Sequence, residues 1–98
     1  MPTFIMLSTL GPDGAATLRD NPDRIRAVTA EVEAMGVKVV AQYALLGDYD
    51  FLNIIEAPDE KVMARLAVEL GARGTLKTRT MPALSIDDFI AAVGNAKQ

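Results

Sequence analysis

Cysteine, histidine and tryptophan are all absent from this chain of 98 residues, and its only aromatic residues are three Phe and two Tyr. Without cysteine there is no disulfide, no thiolate nucleophile and no zinc–sulfur site. Without histidine a proximal haem ligand, a Ser-His-Asp triad and a two-histidine, one-carboxylate iron site are excluded. No metal and no cofactor are expected. Positive charge is also short: ten Lys and Arg stand against thirteen Asp and Glu, a net charge of −3. A nucleic-acid partner needs a basic stripe, so none is expected. No apolar run approaches the ~18 residues of a membrane span. The opening Met1-Pro2-Thr3-Phe4-Ile5-Met6 lacks the basic start of a secretory signal. A cytoplasmic protein without membrane contact is the expectation, folded as one domain over residues 1–98.

Half of the residues are hydrophobic, and their spacing carries the fold. Thr3 to Leu10 reads as a strand, ended by the turn signal Gly11-Pro12-Asp13-Gly14. Ala15 to Asp20 reads as a short helical connector. Asn21-Pro22 has the form of a helix N-cap and first position. Ile25, Val28, Thr29, Val32 and Met35 follow on one helical face, and Gly36 ends the helix. Val37 to Leu46 and Tyr49 to Glu56 read as strands. The Gly47-Asp48 turn between them is too short for anything but an antiparallel hairpin. A helix opens at Pro58-Asp59-Glu60, buries Val62, Met63, Leu66, Ala67 and Leu70, and stops at Gly71. Thr75 to Leu84 reads as the last strand. Ser85 and Asp88 form a capping box for a short amphipathic helix bearing Ile86, Phe89, Ile90 and Val93, with Ala92 to Gln98 fraying.

The order is that of an α+β, ferredoxin-like βαββαβ domain with an antiparallel four-stranded sheet and an added C-terminal helix. Right-handed crossovers put the first and third strands at the centre. Pro82 agrees with an edge position for the fourth strand. In such a fold the helices cover one face of the sheet, so the strands should alternate apolar and polar. Three do not. Phe4 and Met6 oppose Ile5 and Leu7; Phe51 and Ile55 oppose Leu52 and Ile54; Val39 and Ala41 oppose Val40 and Ala44. A second apolar face exceeds the patch a monomer ordinarily exposes. It is expected to pair with a second copy of the chain, sheet to sheet. The C-terminal helix folding over that face is the other solution, and the two are compatible.

Candidate functional residues cluster around Gly47-Asp48-Tyr49-Asp50. Gly47 suits a positive φ, and Asp48 and Asp50 suit capping of the turn. Tyr49 offers a hydroxyl to a ligand or a ring to an interface. Asp50 is a binding or proton-transfer candidate as well as a cap. Asn53 interrupts the apolar run Phe51-Leu52-Asn53-Ile54-Ile55, and an unpartnered buried amide costs about 1–3 kcal/mol. Its partner is a ligand, a neighbouring strand or another subunit. Arg79 shares a strand face with Lys77, which fits an anion site or a charged edge that resists aggregation. Arg73-Gly74 is a weaker anion-binding candidate. Arg65 and Glu69 are spaced as an i,i+4 pair, and Met6, Met35, Met63 and Met81 as core fillers. The ligand-binding set is therefore Tyr49, Asp50, Asn53 and Arg79.

From Gly47-Asp48-Tyr49-Asp50 through the apolar strand to Glu56-Ala57-Pro58-Asp59 the chain resembles the GYD-domain family, small bacterial and archaeal proteins of largely unknown function. Met1-Pro2-Thr3-Phe4, Asn21-Pro22 and Gly71 to Arg79 extend the resemblance over nearly the whole length. Asp48 stands between the glycine and Tyr49-Asp50. The resemblance implies a dimeric α/β-barrel. Gly47, Tyr49-Asp50 and Thr78-Arg79-Thr80 are more weakly similar to the effector-binding domain of Lrp/AsnC regulators, which binds amino acids between subunits; the DNA-binding helix-turn-helix has no counterpart here. Cofactor-free monooxygenases share the superfamily, but their histidine and tryptophan helpers are missing. A small-molecule-binding or accessory module working as a homo-oligomer is the first functional expectation. A cofactor-independent monooxygenase or isomerase using Tyr49, Asp50 and Asn53 is the second, and a structural assembly protein the third.

Overall fold

The computed structural model describes residues 1–74 and 76–96. Its elements run β1 Thr3–Leu10, α1 Gly14–Asp20, α2 Arg24–Ala34, β2 Lys38–Ala44, β3 Phe51–Glu56, α3 Glu60–Ala72, β4 Leu76–Ala83 and α4 Ile86–Ala96. The four strands form one sheet in the order β2-β3-β1-β4, with every neighbouring pair antiparallel. This is the ferredoxin-like α+β arrangement, with β1 and β3 central and Pro82 on an edge strand.

Registers across the sheet sort its residues into two faces. On one, Val39, Ile55, Phe4 and Pro82 form a row, followed by Gln42, Asn53, Met6 and Thr80, then Ala44, Phe51, Ser8 and Thr78. Helices α2 and α3 cover this face. The core is Phe4, Met6 and Ile55 from the sheet, Val32 from α2, Met63, Leu66 and Leu70 from α3, and Val37 and Ala57 beside them. Fully burying a side chain such as Leu66 or Ile55 stabilises the fold by about 1.5–3 kcal/mol. The stripe on α3 has the expected spacing, and Asp59 caps that helix by accepting the Val62 N–H at 3.0 Å.

Several local expectations shift. The long helix opens at Arg24 rather than Pro22. The Asn21 carbonyl instead accepts from Arg24 N–H at 3.1 Å in a turn that follows α1, so Asn21 ends one helix without capping the next. Helix α3 runs through Gly71, and the left-handed residue after it is Gly74, at φ +73°. Strand β2 is shorter than Val37 to Leu46 and carries an irregularity between Val39 and Ala41. That break turns Val39 to the helices and Ala41 and Tyr43 to the opposite face, so the unbroken alternation read along this strand does not hold. Strand β3 starts at Phe51, with Tyr49 and Asp50 still in the connection. Arg65 reaches the Met35 carbonyl at 3.5 Å instead of pairing with Glu69. Met81, read as a core filler, lies on the outer sheet face and is 39 % exposed.

The C-terminal helix does not fold over the sheet. Ser85 caps it, its hydroxyl accepting the Asp88 N–H at 3.0 Å, and the helix then continues through Ala92 to Ala96. Ile86, Phe89, Ile90 and Val93 remain 71, 53, 61 and 42 % exposed. The chain measures 56 × 28 × 19 Å with a radius of gyration of 15.3 Å, against about 13 Å for a compact chain of this length. The excess is an element standing away from the rest. Expectations that fall on Thr75, Lys97 and Gln98 lie outside the described residues.

Candidate functional site

The tetrapeptide Gly47 to Asp50 builds a latch. Gly47 sits at φ +145°, a conformation that side chains oppose. The chain then returns so that Asp50 bonds in three directions. Its N–H donates to the Ser8 carbonyl at 2.8 Å, and its carbonyl accepts from Leu45 N–H at 2.8 Å. Its carboxylate Oδ2 accepts the Leu10 N–H at 2.7 Å. Asp50 therefore ties the end of β1 to the β2–β3 hairpin, capping a different strand from the turn it belongs to. Tyr49 is half-buried beside it, and Asp48 is exposed.

The face of the sheet away from α2 and α3 is open. One row across it is Ala41, Ile54, Ile5 and Met81; the next is Tyr43, Leu52, Leu7 and Arg79. Tyr43 is 58 % exposed, and nearby Val40 is 49 % exposed. Lys77, opposite Thr9, and the Lys38–Glu56 pair lie at the two ends. The surface is thus an apolar centre with a charged border, the usual anatomy of an association surface. Leu84, 67 % exposed, leads from it into α4.

A separate cavity of about 570 Å³ lies on the other side, between the sheet and helices α1 and α2. It opens because Val32 is the only fully buried residue of α2, while Val28 is half-buried and Ile25 is 37 % exposed. Its walls are mainly apolar, with Met6, Val28, Val39, Phe51 and Leu70 among them, and a polar line crosses it. The Thr29 hydroxyl lies 3.0 Å from the Ile25 carbonyl and 3.2 Å from Gln42 Oε1, so its one proton is shared between them. Gln42 Nε2 donates to Asn53 Oδ1 at 2.9 Å. Arg24 and Arg73 line the cavity as well. Glu31 lies between them: Arg73 Nη2 meets its Oε2 at 2.6 Å, and Arg24 Nη1 stands 3.9 Å from its Oε1.

The four residues singled out in the sequence do not converge. Asn53 lines the cavity, and its neighbouring-strand partner is Gln42. Asp50 and Tyr49 belong to the latch. Arg79 lies across the sheet from the cavity, on the open face. Gln42, Thr29 and Arg24 join Asn53 at the cavity and had escaped notice. For Gln42 and Thr29 the signal was a polar side chain within an apolar pattern, as for Asn53: Gln42 follows Val39-Val40-Ala41 on its strand, and Thr29 lies on the apolar face of its helix, whereas Arg24 carried no such signal.

Comparison with known proteins agrees with this architecture. The GYD domain model matches residues 4–93, and the chain belongs to that family. It is 54 % identical, over 92 residues, to a Thermus thermophilus protein named "Glutamine synthetase and cystathionine beta-lyase binding protein". That match spans 93 % of this chain and 97 % of the relative. Among solved structures, FFRP-DM1 superposes with a TM-score of 0.57 at 22 % identity, over 86 % of this chain and all of that one. The hypothetical protein PHS023 from Pyrococcus horikoshii gives 0.55 at 22 % identity, over 87 and 92 %. At that identity the two structures speak for the fold alone.

Proposed function

We propose that this protein is an accessory module without catalytic activity, which self-associates through its open sheet face and α4 and, as the assembled form, docks on a metabolic enzyme of the glutamine synthetase or cystathionine β-lyase kind. The observation that carries the reading is the apolar surface left without a partner inside the chain: Ile5, Leu7, Leu52 and Ile54 on the sheet, and Ile86, Phe89, Ile90 and Val93 on α4. A sheet face of four strands about 4.8 Å apart, with a mean strand length of about 24 Å, presents roughly 450 Å². An eleven-residue helix adds a strip about 16 Å long. Together they approach the ~800 Å² per partner of a stable interface. A second copy matches this surface because an isologous contact sets an apolar centre on an apolar centre.

The engagement of Asp50 favours binding over catalysis. Its carboxylate already accepts a main-chain N–H, so it is committed to holding the fold. The enzyme partner is argued from the 54 % identity to the Thermus protein and that protein's name. Calorimetric titration of the whole chain into purified glutamine synthetase, and separately into cystathionine β-lyase, tests the docking step. Saturable heat with either enzyme is the expected result. No heat with both, at tens of micromolar of an assembled module, refutes it.

A further inference from the structure

We infer that the cavity between the sheet and α2 is a binding site for an amphipathic monocarboxylate, an apolar body carrying one carboxylate group. This goes beyond the docking reading and does not depend on it. Three observations carry it. The first is size: about 570 Å³ falls within the ~300–1,000 Å³ of small-molecule sites, and the largely apolar walls call for an apolar occupant.

The second is the amide line. Asn53 is held through its oxygen by Gln42 at 2.9 Å, and Gln42 in turn meets Thr29. That bond occupies the Asn53 amide oxygen, so the group Asn53 can offer a ligand at the cavity wall is its Nδ2 donor pair. A polar group in such a setting is stabilised by an acceptor on the ligand.

The third is charge. Arg24 and Arg73 line the cavity, whereas no Asp or Glu does. Arg73 is held by Glu31 at 2.6 Å, while Arg24 stands 3.9 Å from the same carboxylate, beyond hydrogen-bond reach. The Arg24–Glu31 ion pair is the looser of the two, and the half-exposed Arg24 guanidinium has planar donors that suit a carboxylate bidentately. One cation not held by a hydrogen bond favours a monoanion over a doubly charged phosphate.

Octanoate and its neutral counterpart octanamide are the probes, titrated calorimetrically into the whole chain. Saturable octanoate binding, at least tenfold tighter than octanamide, is expected. Arg24→Gln should remove the preference and leave octanamide binding unchanged. Val28→Phe, which narrows the cavity, should weaken both ligands, with circular dichroism confirming that the variant is folded. Absence of saturable octanoate binding up to millimolar concentration overturns the inference. So does equal affinity for the two probes, or a preference that survives Arg24→Gln. Sedimentation of the same samples keeps the two readings apart: a dimer that ignores octanoate ends this inference alone, and a monomer that binds it ends the association reading alone.

Discussion

Asp50 makes a structural bond that a functional reading would easily overlook. A carboxylate accepting a main-chain N–H across forty residues of sequence closes the sheet at the end of β1. Asp50→Ala leaves the Leu10 N–H without that partner. A loss of about 1–2 kcal/mol is expected in urea unfolding, with unchanged self-association. Asp50→Asn keeps an acceptor and should lose less. Gly47 is the other residue whose identity the latch requires. At φ +145° any Cβ is strained even though the surrounding space is open. Gly47→Ala should therefore cost about 1–3 kcal/mol in the same measurement. Asn53 was legible in the sequence because an amide in an apolar strand must be answered by a partner. Who answers it was not legible: Gln42 lies on another strand, and only the register brings the two side chains to 2.9 Å.

At the scale of elements, strand and helix order followed from periodicity, and the strand order from handedness and a proline. What escaped were places where two signals satisfied one pattern. Asn21-Pro22 has the chemistry of a helix start, yet the same chemistry makes the turn between α1 and α2. The irregularity between Val39 and Ala41 left no mark, because both sides of β2 carry small or apolar residues and a one-residue slip preserves the pattern. The cavity was hidden for a related reason. Its volume depends on how far α2 stands off the sheet, which no local spacing records. Helix α4 was read correctly as amphipathic, but its spacing alone did not say where it would go. Its cap and its stripe now make separate predictions. Ser85→Ala removes the Asp88 N–H bond and should lower helix content and cost about 1 kcal/mol. Phe89→Ser with Ile90→Ser removes side chains already 53 and 61 % exposed. The helix should persist by circular dichroism while self-association weakens at least tenfold.

The whole molecule is a small core with many large apolar side chains left outside it. One sheet face is packed against helices and also holds a cavity. The other has an apolar centre, and α4 extends beyond the compact part of a chain 56 Å long. Each feature has a ready explanation if the folded unit is larger than one chain. In such an assembly the open face would bury its rows, α4 would find a surface, and the charged border around Arg79, Lys77, Lys38 and Glu56 would set the register of the two copies. No helix among the described residues is long and apolar enough to cross a bilayer. Sedimentation equilibrium of the intact chain, at concentrations from one to one hundred micromolar, tests self-association most directly. The account predicts a mass near twice the 10.5 kDa of one chain at the upper concentrations, reduced to a single chain by Leu52→Lys on the open face. A mass of one chain throughout the range, with the native sequence, would contradict it.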